Sequence, residues 1–409
     1  MKVLYVVGAC LTRNTSANMS HNGYVQGLLE NGCEVDILMA RDSWGQEDKG
    51  LHEWKDATYY VYNSETFFSR LRKKFSHANK PLVSQISSER RGENVSQKLA
   101  IKQLIRENLK KIFYALFPVD PLYPLEKSWL SNAGSFKSKK HYDLIISNSS
   151  PSASHKLVEG LILNKRVTYS RWIQIWEDPW YYDLYGRHSD NIKNEEHRLL
   201  QVASEVYYVS PLTLYYQKKL YPDCAHKLKY VPLPALRYES DVIKYVDKDY
   251  FTFGYFGDYY SATRNLKPFY EALLQSGNRG NIYGDNDLGL ESTSKIVVKG
   301  RVTLNELSNI QANTDILVHL CNLKGGQIPG KIYHYSVTQK PILFILDGTP
   351  TEIEILRKHF LKYNRYFFCD NDVTSITNCM KEILAAIQRI KKFNIVNDFL
   401  PVNVVKQIL

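Results

Sequence analysis

The stretch GGQIPGKIYHYSVTQKPILF, residues 325–344, holds the side chains best suited to bind a phosphate. Gly325, Gly330 and Lys331 keep the spacing of a P-loop, in which glycine backbone cradles the anion and a lysine adds charge. A P-loop requires Ser or Thr next, to hold Mg²⁺, and this chain has Ile332. No strand ends in a clear Walker-B aspartate either, so the metal-dependent NTPase reading fails. The phosphate reading survives the loss of the hydroxyl. The apolar run DILVHL ends at Leu320, a glycine-rich loop follows, and a helix is expected from Lys331. Free N–H groups at a helix start attract anions. The competing account is a tight turn at Pro329 before a helix.

A second segment, GYFGDYYSATRNLKPF, points to the same place. Gly254 and Gly257 end an apolar run, and Arg264 stands just before the next helical pattern. Glycine lets a ligand approach the backbone, and arginine grips phosphate oxygens in pairs. Arg264 and Lys331 are expected to meet on one diphosphate, although Arg264 taken alone reads equally as a loop arginine.

In the first half, the loop Ala9–Asn18 is rich in small polar groups and carries Arg13. It suits contact with a polar or anionic ligand in the cleft, and a polar turn with a helix cap also explains Asn14–Asn18. The loop Ser147–Ser154 ends a later strand. Asp178, in WEDPWYYD, is the best candidate for taking a proton from an acceptor hydroxyl, against a turn-capping role before Pro179. Of the aromatic residues around it, Trp172 and Trp176 read as core, while Trp180, Tyr181 and Tyr182 suit stacking on a ligand ring. His155 and Glu177 are weaker candidates.

These residues need strands that end at one edge. Apolar runs alternate with helical patterns: Lys2–Gly8, a helix Met19–Asn31 stopped by Gly32, Glu34–Ala40, Tyr142–Asn148, Arg171–Trp176, Glu205–Ser210 and Leu228–Pro232. Continuous apolar strands with helices between them indicate a parallel sheet covered on both faces. Residues 232–250 read as a linker. A second series follows: Phe251–Gly257, Asn281–Gly284, Lys295–Gly300, Asp315–Leu320 and Pro341–Leu346. The expected class is α/β, two doubly wound Rossmann-like domains around a cleft: residues 1–235, then 236–390, with a tail 391–409 that packs back on the first domain.

The 409 residues suffice for two such cores. No apolar run approaches bilayer length, and VGAC near the start reads as the end of a first strand rather than a lipoprotein signal. The six cysteines are scattered, without zinc spacing, and read as free thiols. The net charge of +11 is concentrated: residues 65–140 carry sixteen Lys/Arg against six Asp/Glu. Apolar side chains interleave with this charge in an insertion, residues 64–140, with a helix expected over Val95–Phe117. That mixture suits an anionic membrane surface. A solvated helical face is the plain alternative, and no nucleic-acid-binding motif accompanies the charge.

The motifs together resemble the family-4-type retaining glycosyltransferases of the GT-B fold, here of the bacterial surface-polysaccharide type. YFGDYYSATRN, IYG, VVKGRVTLNEL, ANTDILVHL and IPGKIYHYSVTQKPIL resemble their donor domain in order. SNSSPSASH, IQIWEDPW and EEHRLLQVASEVYYVSP resemble segments of their acceptor domain. The resemblance covers almost the whole chain except the basic insertion. It implies transfer of a hexose from a nucleotide-diphosphate sugar to a glycan or lipid-linked acceptor, with retention, no metal and no cofactor. It implies an enzyme that is cytoplasmic and peripheral at the inner membrane face. Arg264 and Lys331 would neutralise the leaving diphosphate. Gly257, Gly284, Arg301, Val302, Gly326, Ile328, Gly330 and His334 would complete the donor site. Asn14, Thr15, Ser149, Ser150, Asp178 and Trp180 would face the acceptor. One departure stands out: the family's pair of glutamates falls on Gly326 and His334. That departure motivates a rival, an inactive partner subunit; a nucleotide-sugar epimerase is the other.

Overall fold

The computed structural model describes residues 1–13, 15–41, 51, 53–64, 122–184, 186, 188–236, 250–390 and 392–409. The expected helix Val95–Phe117, most of the basic insertion and most of the linker lie outside them, as does Asn14.

Two parallel sheets carry the chain. The first runs in the order β3-β2-β1-β4-β5-β6-β7. Its strands are β1 Lys2–Val7, β2 Glu34–Arg41, β3 Ala57–Asn63, β4 His141–Asn148, β5 Thr168–Trp176, β6 Glu205–Tyr208 and β7 Leu228–Tyr230. The second runs β10-β9-β8-β11-β12-β13. Its strands are β8 Thr252–Phe256, β9 Arg279–Tyr283, β10 Ile296–Lys299, β11 Ile316–Leu320, β12 Ile342–Leu346 and β13 Tyr366–Asp370. Every pairing is parallel. The central strands are buried end to end, as VLYVV (3–7), ILVHL and ILFIL require.

In each sheet the strand order reverses once, between β1 and β4 and between β8 and β11. Ligands of open α/β sheets bind at such switch points, beyond the carboxyl ends of the strands. The segments 9–13 and 149–152 leave the first switch point; 257–266 and 321–330 leave the second.

The domains share packing. One apolar cluster joins Val3, Tyr5 and Ile146 of the first sheet to Leu317 and Phe344 of the second and to Ile332 on the helix Lys331–Ser336. Past residue 390 the chain crosses to the first domain. The helix Pro401–Lys406 lies on the helix Ser16–Glu30, where Gly27 gives it room: a Cβ there would sit 2.2 Å from the Pro401 carbonyl oxygen. Asn31 Nδ2 donates to the Val402 carbonyl at 2.9 Å, and Ala235 N to that of Phe399 at 2.8 Å. All six cysteines are free and buried. Among the described residues no helix is long and apolar enough to cross a membrane.

Candidate functional site

A cavity of about 470 Å³ opens at the second switch point, within the usual range for small-molecule sites. Gly257, Arg264, Gly284, Arg301, Val302, Gly330, Lys331 and His334 all line it. Thr15, Ser16 and Met19 close it from the first domain.

The β8 and β9 ends meet there. Gly284 has φ +154°, and a Cβ on it would lie 2.0 Å from the Gly257 carbonyl oxygen, so only glycine lets the two strand ends approach. Arg264 follows a turn in which its N–H donates to the Tyr260 carbonyl at 2.8 Å. A Cβ built on Gly257 would lie 3.8 Å from Arg264 Nη1, which puts the guanidinium at the β8 end.

Charge is unevenly committed around the cavity. Arg301 pairs with Asp258, Nε to Oδ1 at 3.1 Å, and with Asp285 Oδ2 at 3.1 Å. Burial raises the Asp258 carboxyl, but the Arg301 hydrogen bonds and the Asp285 N–H outweigh it and hold it below the carboxylate range. The Lys331 side chain makes no hydrogen bond or ion pair among the described residues. Burial pushes its ammonium down to about 8, with Asp258 opposing and Arg301 adding to the fall. The cavity wall therefore holds Lys331 and Arg264, together with Arg301, whose charge is paired with two carboxylates.

Two histidines face this charge. His334, which stands where the resemblance expects a carboxylate, has a buried Nδ1 without a hydrogen-bond partner. Burial, then Lys331, pushes it down to about 4, so it is neutral at pH 7. His319 on β11 is buried, its Nε2 also unpaired, and burial with the Arg264 charge lowers it to about 3. Neutral imidazoles offer a ligand hydroxyl or phosphate one donor or acceptor each.

The helix expected from Lys331 is present and short. It ends at Ser336, six residues, with no side-chain cap. So short a helix adds little macrodipole. The attraction for an anion falls on Lys331 and Arg264.

Gly326 and Ile328 stand apart from the cavity. The Gly326 carbonyl accepts from Ser210 Oγ at 2.8 Å and Thr213 Oγ1 at 2.9 Å, tying the loop to the first domain. Its φ is +65°, and a Cβ would lie 2.9 Å from the Tyr216 ring. A glutamate cannot occupy this position without moving that contact. Ile328 packs against the shared apolar cluster.

On the first domain, the Thr15 side chain caps the helix Ser16–Glu30, accepting from Asn18 N at 3.1 Å. Ser149 is buried and accepts from Glu177 N at 3.2 Å, while Ser150 is exposed. Trp180 rests on Tyr123, ring centres 5.2 Å apart, and its backbone N–H donates to Glu196 Oε1 at 2.9 Å. Trp172 and Trp176 are core, and so is His155, bonded to Ser147 Oγ at 2.8 Å. Of the described aromatic residues just after Asp178, Trp180 and Tyr181 are half-buried and Tyr182 is exposed.

Asp178 reaches solvent in the cleft between the domains, where Gln327 Nε2 donates to its Oδ1 at 2.6 Å. Surrounding protein raises its carboxyl to about 6, the Gln327 hydrogen bond opposing and Asp183 adding. Glu177, next to it, is raised well above the usual range by burial and then by Asp178. Its Oε1 lies 3.4 Å from His21 Nδ1.

Two residues that organise this side were not visible as functional in the sequence. Glu196 is fully buried and accepts from Trp180 N, Tyr181 N and Tyr221 Oη, so it shapes the loop that carries Asp178. Its only trace was an acidic residue on the inner face of an amphipathic helix. Gln327 passed as a spacer between glycines.

No protein-family model matches this chain, and no curated protein matches it in sequence. Solved structures match along its whole length. An E. coli structure titled "Trehalose-6-phosphate from E. coli bound with UDP-2-fluoro glucose" superposes with a TM-score of 0.50 at 11% identity, covering 100% of this chain and 95% of that one. Arabidopsis thaliana UGT89C1 complexed with UDP gives 0.49 at 11%, covering 99% and 92%. Anabaena Alr3699/HepE in complex with UDP gives 0.48 at 13%, covering 100% and 98%. Likeness at these identities speaks for the fold alone. The fold is the expected one: two Rossmann-like parallel-sheet domains in the GT-B arrangement.

Proposed function

We propose that this chain is a retaining glycosyltransferase. It takes a hexose from a nucleotide-diphosphate sugar and passes it to a glycan or lipid-linked acceptor in surface-polysaccharide synthesis. The observation that carries the reading is the Lys331 ammonium, which has no partner among the described residues and lines the switch-point cavity together with Arg264. A half-buried cation with no counter-ion among the described residues is costly in the empty protein, and a bound anion offsets that cost. A departing nucleoside diphosphate supplies that anion, and Arg264 and Lys331 then stabilise its charge in the transition state without a divalent metal.

Asp178 faces the donor loop from the acceptor domain. In this reading it receives the proton of the attacking hydroxyl. A carboxyl near 6 suits that task, being ionised at neutral pH yet basic enough to accept. Retention, the lipid-linked class of acceptor and a seat at the inner membrane face follow from the family resemblance and from the basic segment 64–140.

The test is thermal unfolding of the purified protein with UDP, GDP, CDP and ADP, each in EDTA. A ligand at a hundred times its Kd adds about 2.7 kcal/mol. The reading expects one nucleotide to stabilise without metal, and the effect to be lost in Arg264→Ala and Lys331→Ala. Failure of all four with an intact fold would overturn it.

A further inference from the structure

We infer that Gln327 is a positioning residue, fixing the Asp178 carboxylate to the donor loop across the cleft between the domains. The inference rests on the glycosyltransfer reading for what Asp178 does, but not for the link itself.

Every polar atom of the Gln327 side chain is used, and each contact crosses the cleft. Nε2 donates to Asp178 Oδ1 at 2.6 Å and to Asp183 Oδ1 at 3.4 Å. Oε1 accepts the backbone N–H of Leu184 at 3.0 Å. The amide suits this setting because it offers a donor to the carboxylates and an acceptor to the N–H on one rigid plane. Glutamate would meet Asp178 and Asp183 with like charge. Leucine would fill the space and make none of these bonds.

The backbone around Gln327 is held as well. Its N–H donates to the Gly325 carbonyl at 2.6 Å, and its own carbonyl accepts from Asn322 Nδ2 at 3.1 Å. Next to it, the Gly326 carbonyl is gripped by Ser210 and Thr213. The loop from β11 is thus fastened to the first domain at two consecutive residues, and four residues on from Gln327 comes Lys331, on the cavity wall. Whatever moves the loop on filling the cavity also moves the donor that Asp178 leans on. Hydrogen bonding to its ionised form favours that form, so the link also keeps Asp178 ready to accept a proton.

The test follows the Asp178 carboxyl directly. The full chain is labelled with ¹³Cγ-aspartate, its signal assigned with Asp178→Asn, and titrated in the wild type, Gln327→Leu and Gln327→Glu. The inference expects a wild-type midpoint near 6, raised in Gln327→Leu by roughly one to two units, the worth of a hydrogen bond to a charged group. Gln327→Glu should raise it further. Adding the nucleoside diphosphate that binds should shift the Asp178 signal in the wild type but not in Gln327→Leu, with affinity for the nucleotide within a few-fold. An unchanged midpoint in Gln327→Leu overturns the inference, as does an equal nucleotide-induced shift in both proteins. Should Gln327→Leu fail to fold, Gln327→Asn keeps the amide, shortens its reach and answers the same question. If no nucleotide binds the wild type, the donor reading falls while the titration still decides the role of Gln327.

Discussion

Replacing Lys331 by methionine should make the empty protein more stable and its nucleotide binding weaker. The ammonium has no partner among the described residues, and burial lowers it from 10.5 to about 8. A lysine lowered in the fold is a burden below its folded pKa, where both folded and unfolded chains are protonated. The burden fades as pH rises from about 8 and is gone above 10.5. Each unit is worth 1.36 kcal/mol, and allowing for the partial exposure of the side chain the gain at pH 7 is about 2–3 kcal/mol. Methionine is close in length and suits an apolar setting. A charge pair about 4 Å apart at an effective dielectric near 20 is worth about 4 kcal/mol, so binding of a nucleoside diphosphate should fall by roughly a thousandfold. Denaturant unfolding at pH 7 and near pH 10, with calorimetric titration of the nucleotide in EDTA, measures both. The reasoning is refuted if Lys331→Met destabilises the empty protein at pH 7 and leaves the affinity intact.

Three other outcomes are expected. Transfer should fall as pH drops through about 6, and Asp178→Asn should abolish it while nucleotide affinity holds; a profile flat through that region in kcat/KM would exclude Asp178 as the base. Gly27→Val drives a side chain into the Pro401 carbonyl and should unseat the last helix, costing about 1–3 kcal/mol and exposing residues 397–409 to limited proteolysis. Arg198 binds both Glu159 and Glu195, whose carboxylates are mostly buried, so Arg198→Ala should cost about 1–2 kcal/mol in denaturant unfolding and leave nucleotide binding unchanged.

The sheets were legible because buried parallel strands are continuous apolar runs between turn residues. Lys2–Val7, Ile316–Leu320 and Ile342–Leu346 fall within a residue or so of expectation. β13, YFFCD, escaped notice: its pairing with β12 makes it a strand, and its side chains are mostly half-buried. Around the cavity, glycine at strand ends and basic residues in the following loops pointed to one edge, and Arg264, Lys331, Arg301 and His334 do line one space. The expected helix dipole was overrated because nothing local showed that the helix stops at Ser336. Gly326 was assigned by its offset from His334, but its contacts come from Ser210, Thr213 and Tyr216, more than a hundred positions away. The bond between Gln327 and Asp178 spans 149 positions and was invisible for the same reason.

The central claim is transfer of a sugar from a nucleotide-sugar with retention at this cavity. The most direct measurement is real-time ¹H NMR of the purified protein with UDP-glucose, UDP-galactose, UDP-N-acetylglucosamine and GDP-mannose in EDTA, water serving as the slow acceptor. The account predicts that one donor is cleaved and that the released sugar first appears as the α-anomer, before mutarotation. Release of the β-anomer first would contradict retention, and no cleavage of a donor whose nucleotide binds would mark the chain as an inactive relative.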